Sequence, residues 1–176
     1  MESLFSRASE FQAYMNSPKG QRMMAEIQRR AMDVARDELT QQLDEGTICP
    51  CCGQHAKRYK RKIHSGMARW LIWLVREYAA SGGQWVDIKR SPQRGGDYAK
   101  LGHWGLIEQA PPDTTHNRSG MWRPTQKGFD FAHDVIRVPS YVLMYNGQID
   151  GWAPSTVSIR DALGEKFDYL QLMGLD

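Results

Sequence analysis

The 176 residues carry 41% apolar and 10% aromatic side chains, enough for one ordinary domain with a helical appendage and too apolar for wholesale disorder. No apolar run approaches the roughly 20 residues that cross a bilayer, and no basic N-terminal region leads into a long apolar segment, so the chain is expected to be cytoplasmic, with no membrane partner. The net charge is only +3, but residues 49–133 hold fourteen basic and six acidic side chains between two mildly acidic ends; such a centre suits phosphates, an acidic protein or a merely solvated surface.

In chain order, Leu4, Phe5, Phe11, Tyr14 and Met15 suit a short amphipathic helix over residues 1–16. Ser17 and Pro18 then read as the N-cap and first residue of a second helix that runs to a stop at Gly46. Its apolar positions Met24, Ile27, Ala31, Ala35, Leu39 and Leu43 recur every three to four residues. Packing within the chain and homodimerisation through this helix both satisfy that stripe.

All three cysteines fall within residues 49–52, and Cys49-Pro50-Cys51-Cys52-Gly53 contains a Cys-x-x-Cys-Gly turn. It resembles the rubredoxin-type knuckle of zinc ribbons, which implies Zn2+ held by Cys49 and Cys52. Zinc takes four ligands, and a second Cys-x-x-Cys is absent from the sequence. Completing ligands would come from Cys51, His55, His64 or a distant histidine; a metal-free knuckle and reduced free thiols remain alternatives.

Residues 57–62 follow as Lys57-Arg58-Tyr59-Lys60-Arg61-Lys62, five cations and one aromatic, a composition able to neutralise phosphates and stack on a nucleic acid. Ser65 is expected to cap a helix over 66–80, apolar on a broad face through Met67, Trp70, Leu71, Leu74 and Val75, with Ile72 and Trp73 widening it. Residues 84–88 alternate as a strand, and residues 89–96 form a Gly-rich loop with Lys89, Arg90 and Arg94.

Asp97 is expected to cap a short helix to Trp104 that buries Tyr98 and Leu101 and offers Lys100 and His103 to a partner. A strand at 106–109, a turn-rich loop at 110–120 holding His116 and Arg118, a strand at 121–125 holding Arg123, and a Thr125-capped helix bearing Phe129, Phe131, Ala132 and Val135 complete the segment. Leu101-Gly102-His103-Trp104-Gly105-Leu106-Ile107-Glu108, followed by Trp122-Arg123-Pro124-Thr125-Gln126-Lys127-Gly128, resembles the wing pattern of MarR-like and PadR-like winged-helix regulators. The resemblance spans about residues 65–136 and implies DNA binding, with 97–104 at the recognition-helix position and Arg118 and Arg123 in or beside the wing. Residues 89–96 stand where such readers carry another helix, which moves the expectation from base reading to backbone contact or protein docking. The whole arrangement is also similar to small uncharacterised phage proteins.

Residues 140–145 and 148–152 flank Asn146-Gly147 and read as a hairpin, with Tyr141, Tyr145 and Trp152 either buried or forming an aromatic patch and the core assignment favoured. A last helix is expected over 159–173. No Gly-x-Ser-x-Gly elbow, phosphate-binding glycine loop or His-Glu-x-x-His pair is present, and His116 with Asp113 and Asn117 lies in a turn-forming loop, so no enzymatic activity is expected. The expected fold is α+β and mainly helical: an N-terminal helical region (1–46), a zinc-knuckle-like basic segment (47–64), a winged-helix-like core (65–136) and a C-terminal hairpin and helix (137–176). The expected function is backbone-directed nucleic-acid binding, DNA favoured, or docking to an acidic host protein through the same basic and aromatic surface.

Overall fold

A computed structural model describes residues 4–93, 95–111 and 120–175. The chain is α+β, about half helical, with small antiparallel sheets. It divides into two compact units, Met1–Arg58 and Tyr59–Asp176, with the division inside the basic run. None of the described helices is long and apolar enough to cross a membrane.

The first unit contains α1 (Leu4–Asn16) and α2 (Pro18–Gln42), separated by Ser17 alone. The Ser17 hydroxyl donates to the Tyr14 carbonyl at 2.6 Å and accepts the Gly20 N–H at 3.1 Å, so one side chain serves both helix ends. The corner needs glycine at position 20, where a Cβ would stand 2.1 Å from the Tyr14 carbonyl oxygen. After Gly46, which has φ +90°, β1 (Thr47–Ile48) and β2 (His55–Ala56) pair as a minimal hairpin. Only Leu43 and Ala56 are buried apolar residues among those described in this unit.

The second unit holds the main core. β3 (Tyr59–Lys62) leads into α3 (Ser65–Ala80), which buries Met67, Ala68, Trp70, Leu71, Ile72, Leu74 and Val75, more than one face, because other elements pack around it. The expected cap shifts by one residue: His64 occupies the N-cap without a side-chain hydrogen bond, and Ser65 is the first helical residue. β4 (Val86–Asp87), β5 (Ile107–Gln109) and β6 (Met121–Pro124) form a sheet in the order β4-β6-β5. Between β4 and β5 lie two 3₁₀ segments, Ile88–Arg90 and Asp97–Trp104; the second replaces the expected α-helix, and Asp97 is its first residue rather than its cap.

α4 (Gln126–Ala132) explains the Leu-Ile-Glu and Thr-x-Lys-Gly signature. The Thr125 hydroxyl donates to the Gly105 carbonyl at 2.6 Å and accepts the Gly128 N–H, while the Thr125 N–H reaches the Leu106 carbonyl at 3.1 Å. A Cβ on residue 128 would lie 1.8 Å from the Leu106 carbonyl oxygen, so α4 can approach the strand only as glycine there. Helix α4 stops before Val135, which is 71% exposed rather than on a helical apolar face; Asp134 at φ 61° turns the chain out first.

β7 (Val138–Pro139), β8 (Tyr141–Tyr145) and β9 (Gln148–Trp152) follow, with Asn146 and Gly147 both at positive φ in the two-residue turn that the Asn-Gly pair implies. β10 (Thr156–Val157) pairs with β7, and β3-β8-β9 form the remaining sheet. The single last helix expected over 159–173 is three pieces. α5 (Ile159–Leu163) begins in a Ser158/Asp161 capping box and stops at Gly164 (φ 62°), a 3₁₀ turn Gly164–Lys166 follows, and Asp168 caps α6 (Tyr169–Met173). Ile159, Leu163 and Tyr169 join the same core as α3, with Val138, Val142 and Phe131.

Gly128→Ala is expected to destabilise the second unit by about 1–3 kcal/mol, the usual penalty for forcing atoms into a close-packed contact. Urea unfolding reads it as a lowered midpoint; a midpoint equal to that of the native chain would show that the Leu106 carbonyl yields freely.

Candidate nucleic-acid interface

β3 is an edge strand, bonded on one side to β8 in the register Tyr59↔Met144, Lys60↔Leu143, Arg61↔Val142 and Lys62↔Tyr141. Cross-strand partners share a sheet face. Tyr59 and Arg61 therefore lie on the face of Val142, at the margin of the core, while Lys60 and Lys62 lie opposite with Tyr141 and Leu143. All four β3 side chains are exposed. Lys60 Nζ stands 5.3 Å over the Tyr141 ring, and the Arg61 guanidinium 5.7 Å over Tyr59. Among the described residues no carboxylate pairs with Lys60, Arg61 or Lys62.

The expected recognition segment joins this strand electrostatically. Burial, then the charges of Lys100 and Arg61, hold the half-buried His103 imidazole below its ordinary pKa. Lys100 bonds Asp97 at 2.5 Å; that hydrogen bond and charge, with a smaller contribution from His64 at 3.5 Å, hold the exposed Asp97 carboxyl below the usual carboxylate range. The charges of Arg61 and Lys100 thus both act on His103, while His64, an expected metal ligand, is partnered with Asp97.

Other expected contacts are already engaged. Arg58 pairs with Asp44 at 2.9 Å, and its backbone N–H bonds the Leu43 carbonyl, so it serves the first unit's structure. Arg90 pairs with Glu77 at 2.6 Å; Arg123 bonds Glu108 and lies 4.4 Å over the Trp85 ring. Lys57 and Lys89 have no ion-pair partner among the described residues. Arg94, Arg118 and the His116 loop lie outside the described residues.

In the first unit, the Cys49 N–H bonds the Gln54 carbonyl at 2.8 Å and the Gly53 N–H bonds the Cys49 carbonyl at 2.9 Å. Gly53, at φ 71°, makes the turn. Hydrogen bonds from the backbone N–H groups of Cys51 and Cys52 to the Cys49 sulfur, aided by the Cys52 and Cys51 thiols and opposed by burial, lower the Cys49 pKa. Such donors suit a metal-bound thiolate, and the thiols are free. The expected set of Cys49, Cys51, Cys52, His55 and His64 is not brought together: among the described residues no group of three or more candidate ligands forms. The His55 ring instead rests against Gly46.

The aromatic residues of β8 and β9 are less buried than the favoured core assignment: Trp152 is 43% exposed, and Tyr141 and Tyr145 are half-buried. Strand alternation separates them. Val142 and Met144 turn to the core, which leaves Tyr141, Leu143 and Tyr145 on the Lys60/Lys62 face, a division readable from the period of two once β8 is aligned. No family model matches the chain, and no curated protein or solved structure is similar to it by these comparisons.

Because the folded His103 pKa is depressed, its contribution to stability is complete above the ordinary imidazole value of about 6.5 and is lost as pH falls through the folded value. Thermal melts across that window should show His103→Gln less acid-sensitive than the native chain; superimposable pH profiles would remove His103 as the cause.

Proposed function

We propose that the chain is a non-enzymatic nucleic-acid-binding protein whose second unit is a winged-helix variant gripping the phosphate backbone through β3. The observation that carries the reading is the run Tyr59–Lys62, exposed on both sheet faces, with three cations that lack carboxylate partners among the described residues and with the Arg61 charge acting on His103. Phosphates would take the place of the missing anions, and Tyr141 and Tyr145 flank Lys60 and Lys62 as surfaces on which a base can stack.

The winged-helix part rests on element order and sheet order: a helix, a strand, the 3₁₀ segment Asp97–Trp104 and two further strands, with the first strand paired to the third. A single 3₁₀ turn, Ile88–Arg90, stands where a base-reading member would hold a whole helix, and Asp97 occupies Lys100. Backbone contact therefore fits better than recognition of base edges. Zinc belongs to the same proposal only as a ligand of Cys49 and Cys52, supported by the N–H groups directed at the Cys49 sulfur.

Fluorescence anisotropy of a labelled DNA duplex should show binding that weakens linearly in log–log salt plots, by about 0.9 per phosphate neutralised. Replacing Lys60, Arg61 and Lys62 together with Gln should weaken binding and reduce that slope by about 2–3. Lysines and arginines on an edge strand also discourage strand-to-strand association. A variant that aggregates yet binds DNA with the native slope would assign the cations to that role instead. A chain inert to DNA in low salt that retains an acidic protein after nuclease treatment would move the surface to protein docking.

Metal analysis should return one zinc per chain, lost in Cys52→Ser; a metal-free native protein would leave the knuckle as a hydrogen-bonded turn alone.

A further inference from the structure

Among its described residues the first unit buries only Leu43 and Ala56 as apolar side chains. A 25-residue α2 stands beside two buried apolar residues, whereas the second unit buries a continuous cluster around α3. Isolated helices are marginal in water, and most of their stability comes from covering an apolar face. That face exists here. Met24, Ile27, Ala31 and Val34 follow one another at spacings of three, four and three, the repeat of a two-helix seam. Ile27 is 51% exposed and Val34 57%. Tyr14 extends the surface from α1, its hydroxyl 3.7 Å from the Met23 sulfur.

The charges on α2 indicate the occupant. Residues 18–30 carry Lys19, Arg22, Arg29 and Arg30 against Glu26, whereas residues 31–42 carry Asp33, Asp37 and Glu38 against Arg36. The sign reverses near the helix midpoint. Glu26 is taken by Arg29 and Arg30, and Asp33 by Arg36, all within the helix. Lys19 and Arg22 at one end, and Asp37 and Glu38 at the other, have no ion-pair partner among the described residues.

We propose that α2 pairs antiparallel with α2 of a second copy of this chain, with the crossing between Ile27 and Ala31. That register sets Met24 against Val34 and Ile27 against Ala31 of the second copy, and brings Lys19 beside Glu38 at both ends. A parallel pair would instead set Lys19 near Lys19 of the second copy and Glu38 near Glu38 of the second copy, which opposes association. The proposal stands independently of the nucleic-acid reading.

Light scattering on the full chain should give twice the chain mass. Ile27→Asp with Val34→Asp should halve it, while Ile27→Leu should leave it unchanged. Far-UV circular dichroism and the urea midpoint of the second unit keep the result interpretable, since that core lies outside the substitutions. Orientation is read by carbodiimide coupling of mixed isotope-labelled and unlabelled chains. Lys19 and Glu38 lie about 28 Å apart along one helix, at 1.5 Å per residue, so a zero-length Lys19–Glu38 link between labelled and unlabelled peptides requires the antiparallel pair. A chain monomeric up to high micromolar concentration, a dimer indifferent to the two aspartates, or a dimer without that cross-link would each overturn the proposal.

Discussion

At the Leu106 carbonyl, three parts of the second unit converge. Thr125 bonds it through its N–H, Gly128 comes close enough to forbid a side chain, and the Thr125 hydroxyl secures the preceding Gly105 carbonyl. The strand β5, the return strand β6 and α4 are thereby fixed to one another within a few residues. α4 then delivers Phe131 and Ala132 to the core around α3, and the Ala132 carbonyl accepts the Tyr169 hydroxyl at 3.1 Å. A backbone junction of this kind depends on the absence of a Cβ more than on any side chain. It accounts for the glycine at position 128.

The legible parts of the sequence were those governed by local rules. Ser17-Pro18, Asn146-Gly147, Thr125 and the apolar breadth of α3 each specify their own conformation through caps, turns or periodicity, and each forms in the structure. The illegible parts depended on competition between partners. Asp97 has the chemistry of a cap, but Lys100 and His64 draw its carboxylate away. The last helix keeps an apolar rhythm across Gly164, yet the glycine adopts φ 62° and the chain bends. Periodicity records which face wants burial; it does not record whether the backbone stays straight.

The charged residues divide along the same line. Composition marks residues 49–133 as cationic, and only tertiary structure separates Arg58, Arg90 and Arg123, each facing a carboxylate, from Lys60, Arg61 and Lys62, which face none among the described residues. Exposed ion pairs stabilise little, so the engaged arginines contribute mainly orientation. The knuckle shows the converse. Its cysteines are adjacent in sequence and the turn forms, but among the described residues no further ligands are gathered beside them.

The pairing of β3 with β8 carries a consequence for the shape of the basic run. Tyr59 meets Met144, and Lys62 meets Tyr141, across most of the second unit's sequence. Closing a loop of that length costs conformational entropy that the pairing must offset, whereas the β8–β9 hairpin closes across two residues. β3 thus takes its strand pairing from residues 141–144, far along the chain from the basic run. Alternation of Lys60 and Arg61 to opposite faces, with Lys60 over the Tyr141 ring, is therefore set by a distant partner strand and not by the basic run itself.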